Sequence, residues 1–465
     1  MNLSQYKKFH FVGIGGVGMR ALTYILLQRG YMVTGSDQED DAVFAKFRNH
    51  GAVIYLGHDA SHVDGADVVV VSTAIRPNNP EVVAAKEKGI PVMHRSDVLA
   101  AILNDGCGIA VAGAHGKTTT TSMLGQVFEE AGVDPTIVIG GEVDYLKGNS
   151  TAGKGPHVIA EADESDGSFL KLRPAFAVVT NIEDDHLDYY GSMERLEAAF
   201  VEFIHSLDEK QGQAILCIEN EVIRKLLPQV KCAYVTYGFS PEATYSATDL
   251  AYVDGCLHFT LVKEQQRLGK VMLQVPGKYN VLNALATIAT ALAAGLSLPD
   301  IIAALGHFTG TKRRFQTLYR SANYWLVTDY AHHPTEIKAT LAAAKEIGVK
   351  RVICVFQPHR YSRTDLLRNE FADAFHDADL TVFTDIYAAG EDPRDNVDGT
   401  LLPNMVKATG DEARYVQDIA TIPEYLDTIR KPGDLIIMMG AGNINECSYL
   451  VKQRWEQQDE TVGQN

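Results

Sequence analysis

Short apolar runs and longer amphipathic stretches alternate along most of this chain. Apolar runs bounded by turn residues recur at Lys8–Ile14, Tyr31–Gly35, Asp67–Ser72, Ile109–Ala112, His157–Ala160, Ala175–Thr180, Ala214–Glu219, Tyr324–Thr328, Arg351–Phe356, Leu380–Thr384 and Asp434–Met439. Helical patterns lie between them, among them Val17–Arg29, Pro80–Lys88, Ser96–Leu103, Thr119–Ala131 and Thr335–Ile347. Continuous apolar runs suit strands buried on both faces. Their alternation with helices predicts parallel sheets joined by helical crossovers. One region breaks this rhythm: Tyr252–Leu273 is β-rich with no helix inside it. The Ala-rich stretch Ala284–Leu305 is interrupted by Gly295, Pro299 and Asp300. It predicts two packed helices, too broken to span a membrane. The polar tail Trp455–Asn465 is expected to fray.

Turn residues at Asn104-Asp105-Gly106 and across Gly306–Gly310 mark two boundaries. A chain of 465 residues accommodates roughly two to four domains. The expected fold class is therefore α/β with three domains, over 1–105, 106–311 and 312–465. With 42 basic and 59 acidic side chains the net charge is −17, which disfavours nucleic acid and anionic membrane surfaces as partners. The six cysteines are scattered without a CxxC pair, so neither a zinc site nor a disulfide framework is indicated. Thiols in a reducing cytoplasm are expected. Lys7-Lys8 followed by apolar residues faintly resembles a signal peptide, but the glycine pattern that follows argues for a nucleotide fold. Nothing in the composition specifies an oligomeric state.

The most informative stretch is Ile109–Met123, IAVAGAHGKTTTTSM. A buried strand leads into Gly113-Ala114-His115-Gly116, then Lys117 and a run of hydroxyls from Thr118. Such a turn cradles phosphates, because glycines let the backbone approach and the helix start presents N–H groups and a favourable dipole. Lys117 is placed to neutralise β- and γ-phosphate charge, and the Thr118 hydroxyl to hold Mg²⁺. The long P-loop pattern wants glycine where Val111 stands, so this is a shorter loop.

A second phosphate signature opens the chain. Strand Lys8–Ile14, Gly13-x-Gly15-x-x-Gly18, a helix, and Asp37 about 20 residues on form a dinucleotide-binding fingerprint and make the first domain Rossmann-like. The fingerprint specifies a pyrophosphate, which NAD, FAD and a UDP-sugar all carry. Two central strands then end in acids, Glu161-Ala162-Asp163-Glu164-Ser165-Asp166 and Glu183-Asp184-Asp185-His186. Ligands of open α/β sheets bind beyond strand carboxyl ends, and Mg²⁺ takes carboxylate oxygens. Asn280 and Asn283 share a helix face and either hydrogen-bond a base or cap the helix. In the last domain, strand ends deliver Asp329–Pro334 and Gln357–Arg363, whose arginines suit a carboxylate or phosphate.

Taken together, GIGGVGM (Gly13–Met19), GAHGKTTT (Gly113–Thr120), EADESD (Glu161–Asp166), TNIEDDHLDYY (Thr180–Tyr190), KRRFQ (Lys312–Gln316), DYAHHPTEI (Asp329–Ile337) and QPHRYSRT (Gln357–Thr364) resemble the Mur ligase family over nearly the whole chain. The resemblance implies a Rossmann-like first domain for a UDP-sugar, a central P-loop ATPase-type domain, and a Rossmann-like last domain that closes over the site. It implies a cytoplasmic ATP- and Mg²⁺-dependent ligase of peptidoglycan precursor synthesis. Such an enzyme joins L-alanine to the lactyl carboxylate of UDP-N-acetylmuramate through an acyl phosphate.

Carried over, Gly113, Ala114, His115, Gly116, Lys117, Thr118 and Thr119 form the ATP loop. Thr118 and Glu161 hold Mg²⁺, with His186 as a further ligand or its neighbour. Asn283 meets adenine, and Arg314 and Asp329 reach the nucleotide. Gly15, Gly16, Gly18, Asp37 and Ser72 serve the UDP portion. His359, Arg360 and Arg363 surround alanine. Lys117, His186, Arg360 and Arg363 are the expected catalytic set. Three departures stand out: Ala114 replaces the usual threonine, Tyr279 the usual histidine, and no lysine lies between His186 and Lys210 to become the modified lysine of some relatives. Competing readings are a relative that attaches a preformed peptide, an NAD-linked oxidoreductase, and a non-enzymatic P-loop switch.

Overall fold

The computed structural model describes residues 3–184, 186–207, 212–253 and 255–462. The chain is α/β throughout, with three sheets that follow one another in sequence and define three domains. The first sheet runs in the order Val53–Leu56, Met32–Asp37, Lys8–Val12, Val68–Val71, Val92–His94, with every pairing parallel. Strand order reverses between Lys8–Val12 and Val68–Val71. Their carboxyl ends therefore open the crevice where such folds take ligands. The second sheet has ten strands, and at its centre Cys107–Ala112 lies between Phe176–Val179 and His157–Glu161, both parallel to it. Those central strands are buried on both faces, as the continuous apolar runs predict. The β-rich stretch is three strands, Tyr245–Val253, Cys256–Lys263 and Gln266–Leu273. The Ala-rich stretch is two helices, Lys278–Ala293 and Leu298–His307.

The third sheet runs Gln316–Arg320, Tyr324–Asp329, Asp434–Met439, Arg351–Phe356, Leu380–Phe383, Ala413–Tyr415, antiparallel only at the first pair. Four strands escaped the hydrophobic pattern: Val53–Leu56, Gly148–Thr151, Gln316–Arg320 and Ala413–Tyr415. All four are edge strands, short and partly exposed, and so carry little apolar signal.

The tail needs a correction. A helix spans Ile444–Val462, and Trp455 is fully buried. Cys447, Val451 and Trp455 recur every four residues and set one buried stripe into an otherwise polar segment. The Trp455 Nε1–H donates to Asp427 at 3.1 Å, and the Arg430 guanidinium lies 4.6 Å from the ring. Mean polarity hid this stripe; the last three residues lie outside the described ones.

The domains gather into two compact units. One contains the described residues up to Leu250 with Phe259–Met272 and Leu282–Phe308; the other contains Ala251–His258, Leu273–Val281 and the described residues from Thr309 onward. Within the first unit, polar contacts tie the first two sheets together. Arg95 pairs with Asp163 at 2.7 Å and Lys171 with Asp97 at 2.6 Å. The Asn149 amide donates to the Val17 carbonyl at 3.0 Å. Among the described residues, no helix is long and apolar enough to cross a membrane, and all six cysteines are free.

Candidate active site

Lys117 lies at the centre of the first unit's polar cluster. Strand register sets Ala112 beside Val179 and Val111 beside Glu161, so the loops leaving all three strands emerge side by side. The chain leaves Ala112 through Gly113 at φ +132° and enters helix Lys117–Glu130 from Gly116 at φ +85°. A β-carbon on Gly113 would lie 2.2 Å from Thr180 Oγ1, and one on Gly116 would lie 2.7 Å from Asn283 Oδ1. Both positions therefore demand glycine. Gly116, at the N-cap, has no side chain to cap this helix, which leaves its first N–H groups and the positive end of its dipole for an anion. Thr118 follows at the second helical position, half-buried, and Thr119 is buried.

The loop is braced from the next strand end. Thr180 Oγ1 and the Asn181 amide donate to the His115 carbonyl at 2.5 and 3.0 Å. The His115 N–H donates to Asn181 Oδ1 at 2.8 Å, and its Nε2 lies 3.2 Å from Glu183. The Thr120 hydroxyl donates to Asn283 Oδ1 at 3.1 Å. Asn283 thus packs on the loop, while the Asn280 amide donates to the Pro276 carbonyl at 2.6 Å.

Lys117 Nζ donates to the carbonyls of Gly113 and Ala114 and to Glu164 Oε1, the last at 2.8 Å. Burial alone would strip its charge, but Glu164, Glu161 and Asp163 more than offset this and raise its pKa. The second oxygen of Glu164 is buried, with no hydrogen-bond partner among the described residues. His186 Nε2 lies 3.8 Å from Glu164 Oε1, on a residue held at φ +65°. Glu161, at its strand end, accepts the Gly140 N–H at 2.5 Å. The acid beside Lys117 is thus Glu164 rather than Glu161. From the EADESD cluster the sequence singled out Glu161, as a Mg²⁺ ligand, and not Glu164, because the turn after Glu161 decides which acid points at Lys117. Thr180 and Asn181 were missed as loop braces; their position directly after a buried strand was the available signal. Asp185 lies outside the described residues, as does Lys210.

In the first domain, Gly13 turns at φ +75° and its N–H, like that of Ile14, donates to the Ser36 carbonyl. Gly16 caps helix Val17–Gln28 without a side-chain bond. Asp37 Oδ2 accepts the Gly15 N–H at 2.7 Å, and a β-carbon on Gly15 would lie 2.8 Å from that oxygen. Asp37 therefore braces the glycine loop. A β-carbon on Gly18 would approach Arg95 Nη1 to 3.3 Å. Ser72 follows strand Val68–Val71 across the crevice.

In the second unit, Asp329 and Phe356 both pair in register with Met439, so the loops after these strands share one sheet edge. Asp329 is buried and accepts the N–H groups of Phe315 and Ala331 at 2.6 and 2.7 Å. Burial pushes its pKa to about 6, against the pull of Arg314 and those bonds. Arg314 lies 3.4 Å from Glu336. His359 stacks on Tyr387, centroids 5.6 Å apart, and lies edge-on to His332 at 5.9 Å. Arg363 Nη1 is 3.3 Å from His359 Nδ1. Arg360 sits at φ +71° before helix Tyr361–Leu366, and its N–H donates to the Tyr387 carbonyl at 2.8 Å. His332 and His359 are both pushed down to about 4 by burial; Arg363 adds to the effect on each, and for His359 so do His332 and Arg360. Both imidazoles are neutral at physiological pH.

An α/β chain with a glycine-bounded lysine loop, strand-end acids and an arginine-bearing last sheet has the design of a nucleotide-dependent ligase. Sequence comparison agrees. Residues 8–106 match the Mur ligase family catalytic domain, 111–291 the Mur ligase middle domain, and 313–442 the Mur ligase glutamate ligase domain. The chain belongs to the Mur ligase family.

It is 44% identical over 454 residues to a UDP-N-acetylmuramate–L-alanine ligase of Syntrophotalea carbinolica, covering 97% of this chain and 99% of that protein. It is 46% identical over 449 residues to the ligase of the same name from Geotalea daltonii, covering 96% and 98%. Its fold matches the crystal structure of UDP-N-acetylmuramate–alanine ligase from Thermotoga maritima with a TM-score of 0.83 at 31% identity, over 97% of this chain and 99% of that one. A murein peptide ligase of Psychrobacter arcticus, TM-score 0.68 at 24% identity, shares the fold.

Proposed function

We propose that this chain is an ATP-dependent ligase that joins L-alanine to the lactyl carboxylate of UDP-N-acetylmuramate, the first amino-acid addition in peptidoglycan precursor synthesis. The end-to-end likeness to ligases of that name carries the reading. Function divides among the segments 1–105, 106–311 and 312–465, for the UDP-sugar, ATP and L-alanine respectively. The cytoplasm, where ATP and reduced thiols coexist, is its compartment.

A carboxylate does not accept an amine at neutral pH. Phosphorylation by ATP turns it into an acyl phosphate, from which the amine of alanine displaces phosphate. Lys117 and the uncapped helix start oppose the negative charge of the transferring phosphoryl group. Mg²⁺ fits the donor set here: hard oxygens on Thr118, Glu161 and Glu164, with one buried Glu164 oxygen unpartnered. Held by these oxygens, the ion would supply positive charge against the negative charge of the phosphates. His186, 3.8 Å from Glu164, would be a further ligand of the ion or the neighbour of one. Gly15, Gly16 and Gly18 take the UDP pyrophosphate with Asp37 bracing their loop, and Ser72 faces it across the crevice. Asn283 holds the ATP loop as well as serving the adenine. Arg314 and Asp329 serve the nucleotide from the last domain. Arg360 and Arg363 take the alanine carboxylate, and neutral His359 packs beside it without adding a competing charge.

Phosphate release with ATP, Mg²⁺ and UDP-N-acetylmuramate tests the reading. Strong turnover is expected with L-alanine and weaker turnover with glycine or L-serine. Turnover only with a tripeptide overturns the assignment in favour of peptide attachment.

A further inference from the structure

Lys117 is fully engaged inside its own loop. An ammonium has three N–H donors, and here they meet Gly113 O, Ala114 O and Glu164 Oε1. A phosphate can recruit Lys117 only by displacing one of these partners. The two carbonyls are neutral and belong to the loop that would cradle the phosphate. Glu164 is the anionic partner, only 3% exposed, and it conflicts directly with an incoming phosphate because both need the same cation. It is also held in place: the Tyr190 hydroxyl donates to the Glu164 carbonyl at 2.5 Å, and the Gly167 N–H donates to the same oxygen. Asp163, its neighbour, is fixed by Arg95 and by the Ser165 hydroxyl at 2.7 Å each.

We propose that Glu164 is a latch on Lys117, a positioning residue that keeps the ammonium in the loop and makes phosphate binding depend on a divalent cation. It deepens the assignment of 113–119 as the nucleotide loop and rests on it. A metal-free nucleotide meets Glu164 as an uncompensated like charge and must break its pair with Lys117. A nucleotide arriving with Mg²⁺ brings positive charge to which Glu164 can transfer its allegiance, leaving Lys117 for the phosphates. The latch thereby discriminates against metal-free nucleotide, which cannot support phosphoryl transfer.

The test is calorimetric binding of ADP to wild-type protein and to Glu164→Gln, in EDTA and in Mg²⁺. Glutamine keeps an acceptor for Lys117 and removes the charge. Glu164→Gln should bind ADP about fivefold or more tightly in EDTA and no more tightly in Mg²⁺, so that the metal dependence of affinity falls. An EDTA affinity that is unchanged or weaker in a variant melting like wild type overturns the latch. Thermal melting of Lys117→Met and of Lys117→Met/Glu164→Gln gives an independent reading. The double variant should recover more than half of the melting temperature lost by the single one, since the stranded charge is gone. No recovery overturns the pairing. Failure of wild-type protein to bind ADP at all would count against the nucleotide loop itself, a different result from failure of the latch.

Discussion

The carboxyl ends of two sheets in this protein present cationic sites with opposite internal bookkeeping. Around Lys117 both cations have resident carboxylate partners: Lys117 with Glu164 at 2.8 Å, Arg95 with Asp163 at 2.7 Å. Around Arg363 the nearest named partner is a histidine nitrogen, and both histidines are uncharged at neutral pH. Among the described residues, Arg360 and Arg363 have no carboxylate at ion-pair distance. A phosphate carries several charges and can compete for a lysine already in use. On the proposed assignment, an amino-acid carboxylate carries one charge and meets two arginines that form no ion pair with their own chain, though Arg360 lies near enough to Glu391 to help lower its pKa. The cations of the first site are self-neutralised; on the proposed assignment those of the second are completed by the substrate.

The largest test of the contrast is Lys117→Ala. Loss of the cation should lower kcat about 1,000-fold or more, on the scale of removing a preorganised charge-stabilising donor. It should also destabilise the protein by about 3–5 kcal/mol, the cost of stranding a buried carboxylate. Steady-state phosphate release and denaturant unfolding measure the two effects. A variant that keeps full ligation removes Lys117 from the chemistry. Arg363→Lys should act differently, raising KM for L-alanine about 10- to 100-fold through loss of a forked contact. With no resident carboxylate to strand, its melting temperature should stay near wild type. Equal stability losses in the two variants would erase the distinction.

Much of this arrangement was legible from residue order, for reasons that differ by element. Central strands such as Ile109–Ala112 and Arg351–Phe356 are buried on both faces, so their apolar runs announce them. The glycine loops are legible because Gly113 and Gly116 sit at positive φ against Thr180 and Asn283, a constraint only glycine meets. What stayed hidden depends on tertiary direction. Composition cannot say which acid of EADESD points at Lys117, since that depends on the turn after Glu161. It equally cannot say that Asp37 is taken up by the Gly15 N–H, or that Trp455 closes a core from a polar helix.

pH sharpens the comparison further. The ordinary value for histidine is 6.5, and His332 and His359 fall to about 4 in the folded protein. Between those limits the unfolded chain binds the extra protons, so both groups withdraw stability as pH falls from about 6.5 toward 4. Asp329 works the other way. Its value rises from 3.8 to about 6, so its contribution is present at low pH and lost as pH rises through about 6. At pH 5 two histidines oppose one aspartate, and the net effect of acidification is a lower melting temperature. Thermal melts from pH 8 to pH 5 should show that decline. His332→Asn should flatten it and Asp329→Asn should steepen it. A flat wild-type profile would mean that the histidines are not held neutral.

The smallest effect is expected at Ala114, the position where the resemblance to the family led to an expectation of threonine. Its carbonyl accepts from Lys117 Nζ at 3.2 Å, a contact that any residue at this position supplies. The neighbouring positions are constrained by backbone, with Gly113 and Gly116 at positive φ and the His115 carbonyl held by Thr180 and Asn181. The loop's shape therefore comes from elements that Ala114→Thr leaves alone. A new hydroxyl adds one donor beside a cradle made of backbone N–H groups and Lys117. KM for ATP should change by less than about threefold, the scale of one neutral hydrogen bond at a partly exposed site. A change of tenfold or more would mean that side chains rather than backbone set the affinity of this loop. The self-neutralised character of the Lys117 site would then rest on more than the Glu164 pair.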